Sequence, residues 1–234
     1  MKSMREEFKF RNFTICQECC AMKVGTDGVM LGAWANGGQH ILDIGTGTGV
    51  IALMMAQRFP ESYIEGVEID PLAARQATEN VSASPYAGRI DIHVSSLQDF
   101  KPKTEFDAIV TNPPFFVNSL ASPQSARTVA RHAMSLTYAD IFNFASLWLS
   151  PDGELSAVVP VEVVDKFTSE AFVRGFFLAR QYLVKTVERR NPRRVLLSFK
   201  KSRPETFDSQ DVLLMCDGKR SQWYENLTKD FYIK

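Results

Sequence analysis

The tetrapeptide Asn112-Pro113-Pro114-Phe115 follows a short apolar run, residues 106–111, that is typical of a buried strand. An amino nitrogen on a planar group is a weak nucleophile because its lone pair is delocalised. The side-chain oxygen of Asn112 and the main-chain carbonyl of Pro113 can accept its two N–H bonds and draw it toward tetrahedral geometry. The two prolines fix the backbone, and the Phe115 ring can stack on a flat substrate. These four residues therefore predict a catalytic site acting on a planar amino group, with no general base required.

A second motif, DIGTGTG at residues 43–49, predicts a loop that binds a nucleotide-like cofactor. Its glycine spacing is GxGxG, which differs from the GxGxxG of NAD enzymes. A carboxylate at Asp43 would repel a pyrophosphate but attract the ammonium of a methionine moiety. Glu68 lies 19 residues beyond Gly49, at the end of another strand-like run, where it can accept both ribose hydroxyls. Together these features predict S-adenosylmethionine as the cofactor.

The third strand-like run leads to Ser96, at a position where methyltransferases often carry an Asp that binds the adenine amino group. Ser96 is therefore a candidate adenine contact, and the alternative is that it caps a helix. The motifs and their flanking residues together define the cofactor site. The predicted cofactor-binding residues from these motifs are Asp43, Gly45, Thr46, Gly47, Gly49, Glu68, Ile69, Ser96, Leu97 and Asn112.

The elements that position these motifs alternate between strand-like and helix-like segments from residue 40 onward. The predicted strands are 40–44, 63–69, 89–94, 106–111, 154–159, 177–187 and 194–199, and the predicted helices are 50–59, 71–82, 136–149 and 162–174. Such alternation predicts an α/β fold, a Rossmann-like seven-stranded methyltransferase sheet that is mostly parallel. No helix separates the last two strands, which predicts a C-terminal antiparallel hairpin. Residues 212–216 are expected to add a short strand or extend an edge.

The length of 234 residues suits one domain, with 45% hydrophobic and 23% charged residues. Residues 1–35 are expected to cover the cofactor crevice, and residues 36–234 to form the S-adenosylmethionine-dependent methyltransferase domain. The N-terminus is polar, and no apolar stretch reaches the roughly 20 residues of a membrane span, which favours a cytoplasmic protein. Four cysteines, three of them clustered at Cys16, Cys19 and Cys20, lack the partners of a zinc site. We expect reduced thiols and no metal.

The net charge is zero, yet basic residues cluster near the C-terminus. Residues 185–203 contain eight basic side chains against one acidic side chain, Glu188. Such a cluster is either a solvated face or a surface that contacts a phosphate backbone.

Four segments resemble the bacterial tRNA1(Val) (adenine(37)-N6)-methyltransferase family: residues 22–34, 43–49, 112–115 and 193–199. The resemblance spans nearly the whole chain, and the first and last segments are its more selective marks. It implies methyl transfer to N6 of adenosine 37 in a tRNA anticodon loop, catalysed by residues 112–115. It also implies that Lys23, Thr26 and Asp27 lie near the open side of the cofactor. The predicted RNA contacts are Arg127, Arg131, Arg189, Arg190, Arg193 and Arg194.

Two departures from the family pattern concern Ser96, which stands where Asp is usual, and Phe115, where many relatives have Tyr. Three alternatives share part of these features. A guanine-N2 rRNA methyltransferase can carry the same tetrapeptide, and so can a glutamine-N5 methyltransferase of a translation factor. The latter usually has an N-terminal helical domain, for which about 39 residues are too few. A non-catalytic RNA-binding module would tend to lose one motif. We expect a monomer.

Overall fold

The computed structural model describes residues 6–20, 22–114 and 136–233. The strands are β1 (Glu7–Lys9), β2 (Thr14–Cys16), β3 (His40–Ile44), β4 (Tyr63–Glu68), β5 (Ile90–Val94), β6 (Phe106–Thr111), β7 (Leu149–Pro160), β8 (Phe177–Lys185), β9 (Arg194–Lys200), β10 (Asp208–Leu213), β11 (Met215–Cys216) and β12 (Lys219–Arg220). The helices are α1 (Thr26–Trp34), α2 (Val50–Arg58), α3 (Pro71–Ser82), α4 (Tyr138–Trp148), α5 (Val164–Val173) and α6 (Gln222–Thr228), with 3-10 turns at Ala87–Arg89 and Val161–Val163.

An eight-stranded sheet with the order β10-β8-β9-β7-β6-β3-β4-β5 forms the centre of the molecule. Strands β3 to β7 run parallel, and β9 pairs antiparallel with both β7 and β8. The prediction of a mostly parallel sheet ending in an antiparallel hairpin is therefore confirmed. The eighth strand, β10, pairs parallel with β8 and begins at Asp208, earlier than the expected edge extension. Its sequence DSQDVL buries only Val212, so it lacks the alternation that marks a strand.

Helices cover both faces of this sheet and enclose two apolar clusters. One cluster joins α1 and α2 to β3 and β4, and the other joins α4 and α5 to β6, β7 and β9. Helix α1 packs closely on α2, because a Cβ added to Gly32 would lie 3.0 Å from the Met54 side chain. Residues 28–34 of α1 are all buried. The predicted N-terminal segment thus contributes to the core through residues 28–34 and through Phe10, Phe13 and Ile15.

The predicted bounds of β3, β6 and α3 agree with the structure. Helix α3 begins where expected because Pro71 occupies its first turn and the Asp70 side chain accepts a hydrogen bond from Leu72 N at 3.0 Å. Strand β7 is longer than the predicted 154–159, because it begins at Leu149 and includes residues 151–153. A register irregularity opposite Phe106 and Ala108 accommodates these residues within the strand. None of the helices in the described part of the chain could cross a membrane.

Candidate functional site

The glycine loop leaves the carboxyl end of β3 with a left-handed backbone at all three glycines. Gly45, Gly47 and Gly49 have φ values of 70°, 55° and 80°, which side-chain-bearing residues rarely adopt. A Cβ added to Gly45 would meet nothing within 4 Å, whereas one on Gly49 would lie 3.4 Å from Ala77 of α3. Gly45 and Gly47 therefore leave open space over the loop, and Gly49 allows α3 to pack against it.

Asp43 lies fully buried beneath this loop. Its Oδ2 accepts hydrogen bonds from Thr46 Oγ1 at 2.7 Å and from Ala52 N at 3.2 Å, so it joins the loop to the first turn of α2. Its Oδ1 has no hydrogen-bond partner among the described residues. Burial raises the pKa of the Asp43 carboxyl to about 7. A cation placed over the loop would stabilise the ionised form of this carboxyl.

Glu68 holds the loop from the end of the neighbouring strand β4. Its Oε2 accepts a hydrogen bond from Gly47 N at 2.9 Å, and its Oε1 accepts one from Asp70 N at 3.0 Å. A carboxylate has about four acceptor positions, so each oxygen of Glu68 can accept a further bond from a ligand. Ile69, which follows directly, is exposed beside it. The support that Glu68 gives to the loop is therefore compatible with the predicted binding of ribose hydroxyls.

Asn112 follows β6 directly beside the glycine loop, because Thr111 pairs with Ile44 in the sheet. The Asn112 Oδ1 atom is buried and has no hydrogen-bond partner in the part of the chain that the structure describes. Such an unsatisfied acceptor costs about 1–3 kcal/mol. Pro113 is buried and Pro114 half-buried. The predicted residues Phe115, Arg127 and Arg131 lie outside the described residues.

Ser96 and Leu97, which were predicted to contact the cofactor, are engaged within the protein. Ser96 Oγ donates to Asp99 Oδ2 at 2.7 Å and accepts from Asp99 N at 3.1 Å. These bonds close a turn at residues 96–99 and do not cap a helix, because residues 97–99 are not helical. Leu97 is buried in the second apolar cluster with Phe100. The cofactor contacts predicted for Ser96 and Leu97 remain predictions.

Two amide side chains of α3 tie the N-terminal segment to the glycine loop. Buried Asn80 donates from Nδ2 to the carbonyls of Thr48 and Cys16, both at 2.9 Å, and accepts from Cys16 N at 2.8 Å. Gln76 Oε1 accepts from Cys19 N at 3.0 Å. The sequence analysis missed these residues. Their signal was two amides one helical turn apart on the otherwise apolar face of α3 that also carries Ala73 and Ala77.

The four cysteines are free thiols. Burial, followed by the negative charge of Glu68, raises the pKa of the Cys20 thiol to about 12, which keeps it neutral beside the loop. Within residues 6–20, 22–114 and 136–233, no group of three His, Cys, Asp or Glu side chains is arranged to hold a metal ion.

The charged residues before and at the start of α1 are paired with other side chains. Lys23 Nζ lies 2.5 Å from Glu6 Oε1, and both side chains are exposed. Thr26 is exposed in the first turn of α1. Asp27 Oδ2 lies 2.7 Å from Arg194 Nε, which joins α1 to the start of β9. The cofactor contacts predicted for these three residues remain predictions.

The basic residues of the segment 185–203 lie at opposite ends of β9. The connection from β8 to β9 lies at the carboxyl edge of the parallel strands and carries the exposed side chains of Arg189, Arg190 and Arg193. Lys200 ends β9, and Lys201 and Arg203 follow it, about 20 Å from the start of the strand at 3.3 Å per residue. The interpretation of the whole segment as one surface is therefore wrong, because an intervening strand separates its halves.

Arg174 and Arg180 each form an ion pair within the protein. Arg180 lies within β8, where it pairs with buried Glu154 at 2.5 Å and stacks over Trp34 at 3.9 Å. Arg174 ends α5 and pairs with Glu170 at 2.5 Å. Both residues stabilise the protein away from the edge that carries the glycine loop.

Comparisons with known proteins agree with this geometry. Residues 29–172 match the model of the methyltransferase small domain. A tRNA1(Val) (adenine(37)-N6)-methyltransferase of Bacteroides fragilis is 40% identical, over 97% of this chain and 98% of that protein. The Klebsiella pneumoniae protein of the same name is 37% identical, over 98% and 96%. A solved structure of a predicted O-methyltransferase from Agrobacterium tumefaciens has a similar fold, with a TM-score of 0.65 at 16% identity, covering 88% of this chain and 96% of that chain.

The buried carboxyl of Asp43 predicts a specific pH dependence of stability. Because folding raises its pKa from 3.8 to about 7, the folded protein keeps a proton that the unfolded chain releases, and the contribution of Asp43 to stability falls as pH rises through this window. Asp43→Asn should therefore become more stable relative to the unmodified protein between about pH 5 and about pH 8, by a few kcal/mol. Urea unfolding at both pH values measures this difference. The exposed Asp230→Asn is the control, and an Asp43→Asn difference that does not change with pH would contradict the prediction.

Proposed function

The chain belongs to the tRNA1(Val) (adenine(37)-N6)-methyltransferase family, and on that premise we propose that it methylates N6 of adenosine 37 in a tRNA anticodon loop. The methyl donor is S-adenosylmethionine, and the reaction takes place in the cytoplasm. The observation that carries the proposal is the buried side-chain oxygen of Asn112, which lies beside the open glycine loop and has no hydrogen-bond partner among the described residues 6–20, 22–114 and 136–233. This oxygen is an acceptor at the position where an amino group must be held.

The residues around the loop fit S-adenosylmethionine in charge and in hydrogen-bonding capacity. Glu68 has acceptor positions left for the ribose hydroxyls, and Gly45 and Gly47 leave room for close approach to the backbone. The carboxyl of Asp43 complements the ammonium of the methionine moiety. When bound, the cofactor supplies an electrophilic methyl group on a sulfonium centre. The exposed side chain of Ile69 is a candidate apolar contact for the adenine ring.

Asn112 activates the target by orienting its amino group. Its Oδ1 accepts one N–H bond of the adenine amino group, and the main-chain carbonyl of Pro113 accepts the other. The nitrogen lone pair then leaves conjugation with the ring and is available for reaction. As positive charge develops on the nitrogen, these fixed dipoles stabilise it without reorganisation. Phe115 is proposed to stack on the flipped base.

The same geometry would serve any planar amino group, including guanine N2 and a glutamine amide. The choice of adenine in tRNA therefore rests on family membership, since relatives with this name align over nearly the entire chain. The proposed RNA contacts on the described residues are Arg189, Arg190 and Arg193. They are exposed at the same edge of the sheet as Asn112, and their charge suits the phosphates of a single-stranded loop.

Replacing Asn112 tests the catalytic part of the proposal. Asn112→Ala removes one acceptor for the amino group and should lower kcat by about 10²–10³-fold or more, as seen when one oriented polar contact to a developing charge is lost. The affinity for S-adenosylmethionine, measured calorimetrically, should stay within about twofold, because the acceptor acts on the substrate. The exposed Asn226→Ala in α6 is the control. Unreduced turnover in Asn112→Ala would show that the tetrapeptide is not catalytic.

The divided basic cluster gives a matched test of RNA binding. The triple variant Arg189→Ala, Arg190→Ala, Arg193→Ala should bind tRNA more weakly, and its slope of log affinity against log salt should flatten by about 2, or about 0.7 per lost phosphate contact. Fluorescence anisotropy between about 50 and about 200 mM salt measures both. The variant Lys200→Ala, Lys201→Ala, Arg203→Ala removes the same charge at the opposite edge and should leave the slope unchanged. Equal effects of the two triples would show that only net charge matters.

A further inference from the structure

Within the described part of the chain, Arg194 makes two contacts that set it apart from the other arginines near the site. Its Nε lies 2.7 Å from Asp27 Oδ2, and its Nη1 donates to the carbonyl of Arg193 at 3.1 Å. The side chains are 34% and 25% exposed for Arg194 and Asp27, so the pair is partly shielded from solvent. A guanidinium held in this way links two parts of the chain 167 residues apart.

The Asp27 end of this link leads to the glycine loop. Asp27 lies in the first turn of α1, and the next residue, Gly28, approaches Val50 so closely that an added Cβ would lie 3.5 Å from its side chain. Val50 begins α2 immediately after Gly49 of the loop. The start of α1 therefore packs directly on the segment that shapes the cofactor site.

The Arg193 end leads to the proposed RNA contacts and to the catalytic edge. Arg193 N donates to the carbonyl of Val184 at 3.0 Å, and its own carbonyl accepts from Val161 N at 3.3 Å. These bonds fix the base of the β8–β9 connection between the ends of β8 and β7. Strand β9 is separated from β6, which leads to Asn112, only by β7, so the two lie about 10 Å apart.

We infer that Arg194 is a positioning residue, which couples cofactor binding at the glycine loop to RNA binding at the β8–β9 connection through its contacts with Asp27 and Arg193. This inference rests on the proposed function, because it takes the RNA as the second ligand. A cofactor that fixes the start of α1 also fixes the Arg194 guanidinium and, through it, the base of the connection. By linkage, each ligand then raises the affinity for the other by the same factor.

The alternative role for Arg194 is a direct contact with an RNA phosphate. The effect of Asp27→Asn on RNA affinity distinguishes the two roles. If Arg194 bound a phosphate directly, Asp27→Asn would release it from its carboxylate partner and strengthen RNA binding. If Arg194 couples the two sites, Asp27→Asn and Arg194→Gln should both remove the coupling, and the double variant should behave like either single variant.

The experiment measures the Kd of an anticodon stem-loop RNA with adenosine at the target position, in the absence and presence of saturating S-adenosylhomocysteine. In the unmodified protein, the cofactor product should lower the RNA Kd by about 5–10-fold, the lower range of site coupling. The coupling is the ratio of the RNA Kd without S-adenosylhomocysteine to the RNA Kd with it. In Asp27→Asn, Arg194→Gln and the double variant this ratio should fall to about 1, and the RNA Kd without S-adenosylhomocysteine should change by less than about twofold. The control Arg189→Gln should weaken RNA binding and keep the ratio.

Asp27→Asn is nearly isosteric, so it keeps the test valid if Arg194→Gln folds poorly. An unchanged ratio in the folded variants, or a ratio of 1 in the unmodified protein, would overturn the inference. Tighter RNA binding by Asp27→Asn at an unchanged ratio would also overturn it and would assign Arg194 to a phosphate. The proposed function is tested separately, by methylation of the same RNA with S-adenosylmethionine and unmodified protein. Absence of N6-methyladenosine in that reaction would overturn the proposed function whatever the ratios are.

Discussion

The pairing of β3 with β6 is the constraint on which the whole site depends. Ile44 at the end of β3 lies opposite Thr111 at the end of β6, and Thr111 Oγ1 donates to the Ile44 carbonyl at 3.1 Å. The glycine loop and Asn112 therefore leave the sheet side by side at its carboxyl edge. Because β4 runs parallel to β3, Glu68 reaches the same edge and binds Gly47. A shift of one residue in this register would separate the loop from Asn112.

Two buried oxygens at this edge explain how the protein is prepared for its ligands. Asp43 Oδ1 and Asn112 Oδ1 both lack partners within the described ranges, and both are held in place by neighbouring strands. Each costs stability in the absence of ligand and offers an interaction that a bound cation or amino group can complete. Neither oxygen has to break a hydrogen bond within the described residues before it meets a ligand, and fixed dipoles of this kind are the ones that accelerate a reaction.

The sequence predicted the parts of the site that depend on local chemistry. The glycine spacing, Glu68 and Asn112 were identified because each follows a recognisable apolar strand. The bounds of β3 and β6 follow from the same apolar runs, and the start of α3 from Pro71 and the Asp70 cap. Features that depend on strand direction or on long-range contacts were not accessible. The basic segment looked continuous until β9 separated Arg193 from Lys200, and the links from Asn80 to Thr48 and from Asp27 to Arg194 join residues far apart in the chain. Ser96 had two possible roles in the sequence, and its hydrogen bond to Asp99 closes a turn with no helix to cap, so the adenine contact stays a prediction.

The most direct test of whether this protein methylates adenosine 37 of a tRNA through Asn112 is nucleoside mass spectrometry of cellular tRNA. Transfer RNA would be isolated from cells with the gene, without it, and with the gene carrying Asn112→Ala, and the modified nucleoside would be mapped to its position. If the protein has this activity, N6-methyladenosine is expected at position 37 of at least one tRNA only in cells that carry the unmodified gene. Persistence of that nucleoside without the gene would contradict the proposed activity, and its restoration by Asn112→Ala would contradict the proposed role of Asn112.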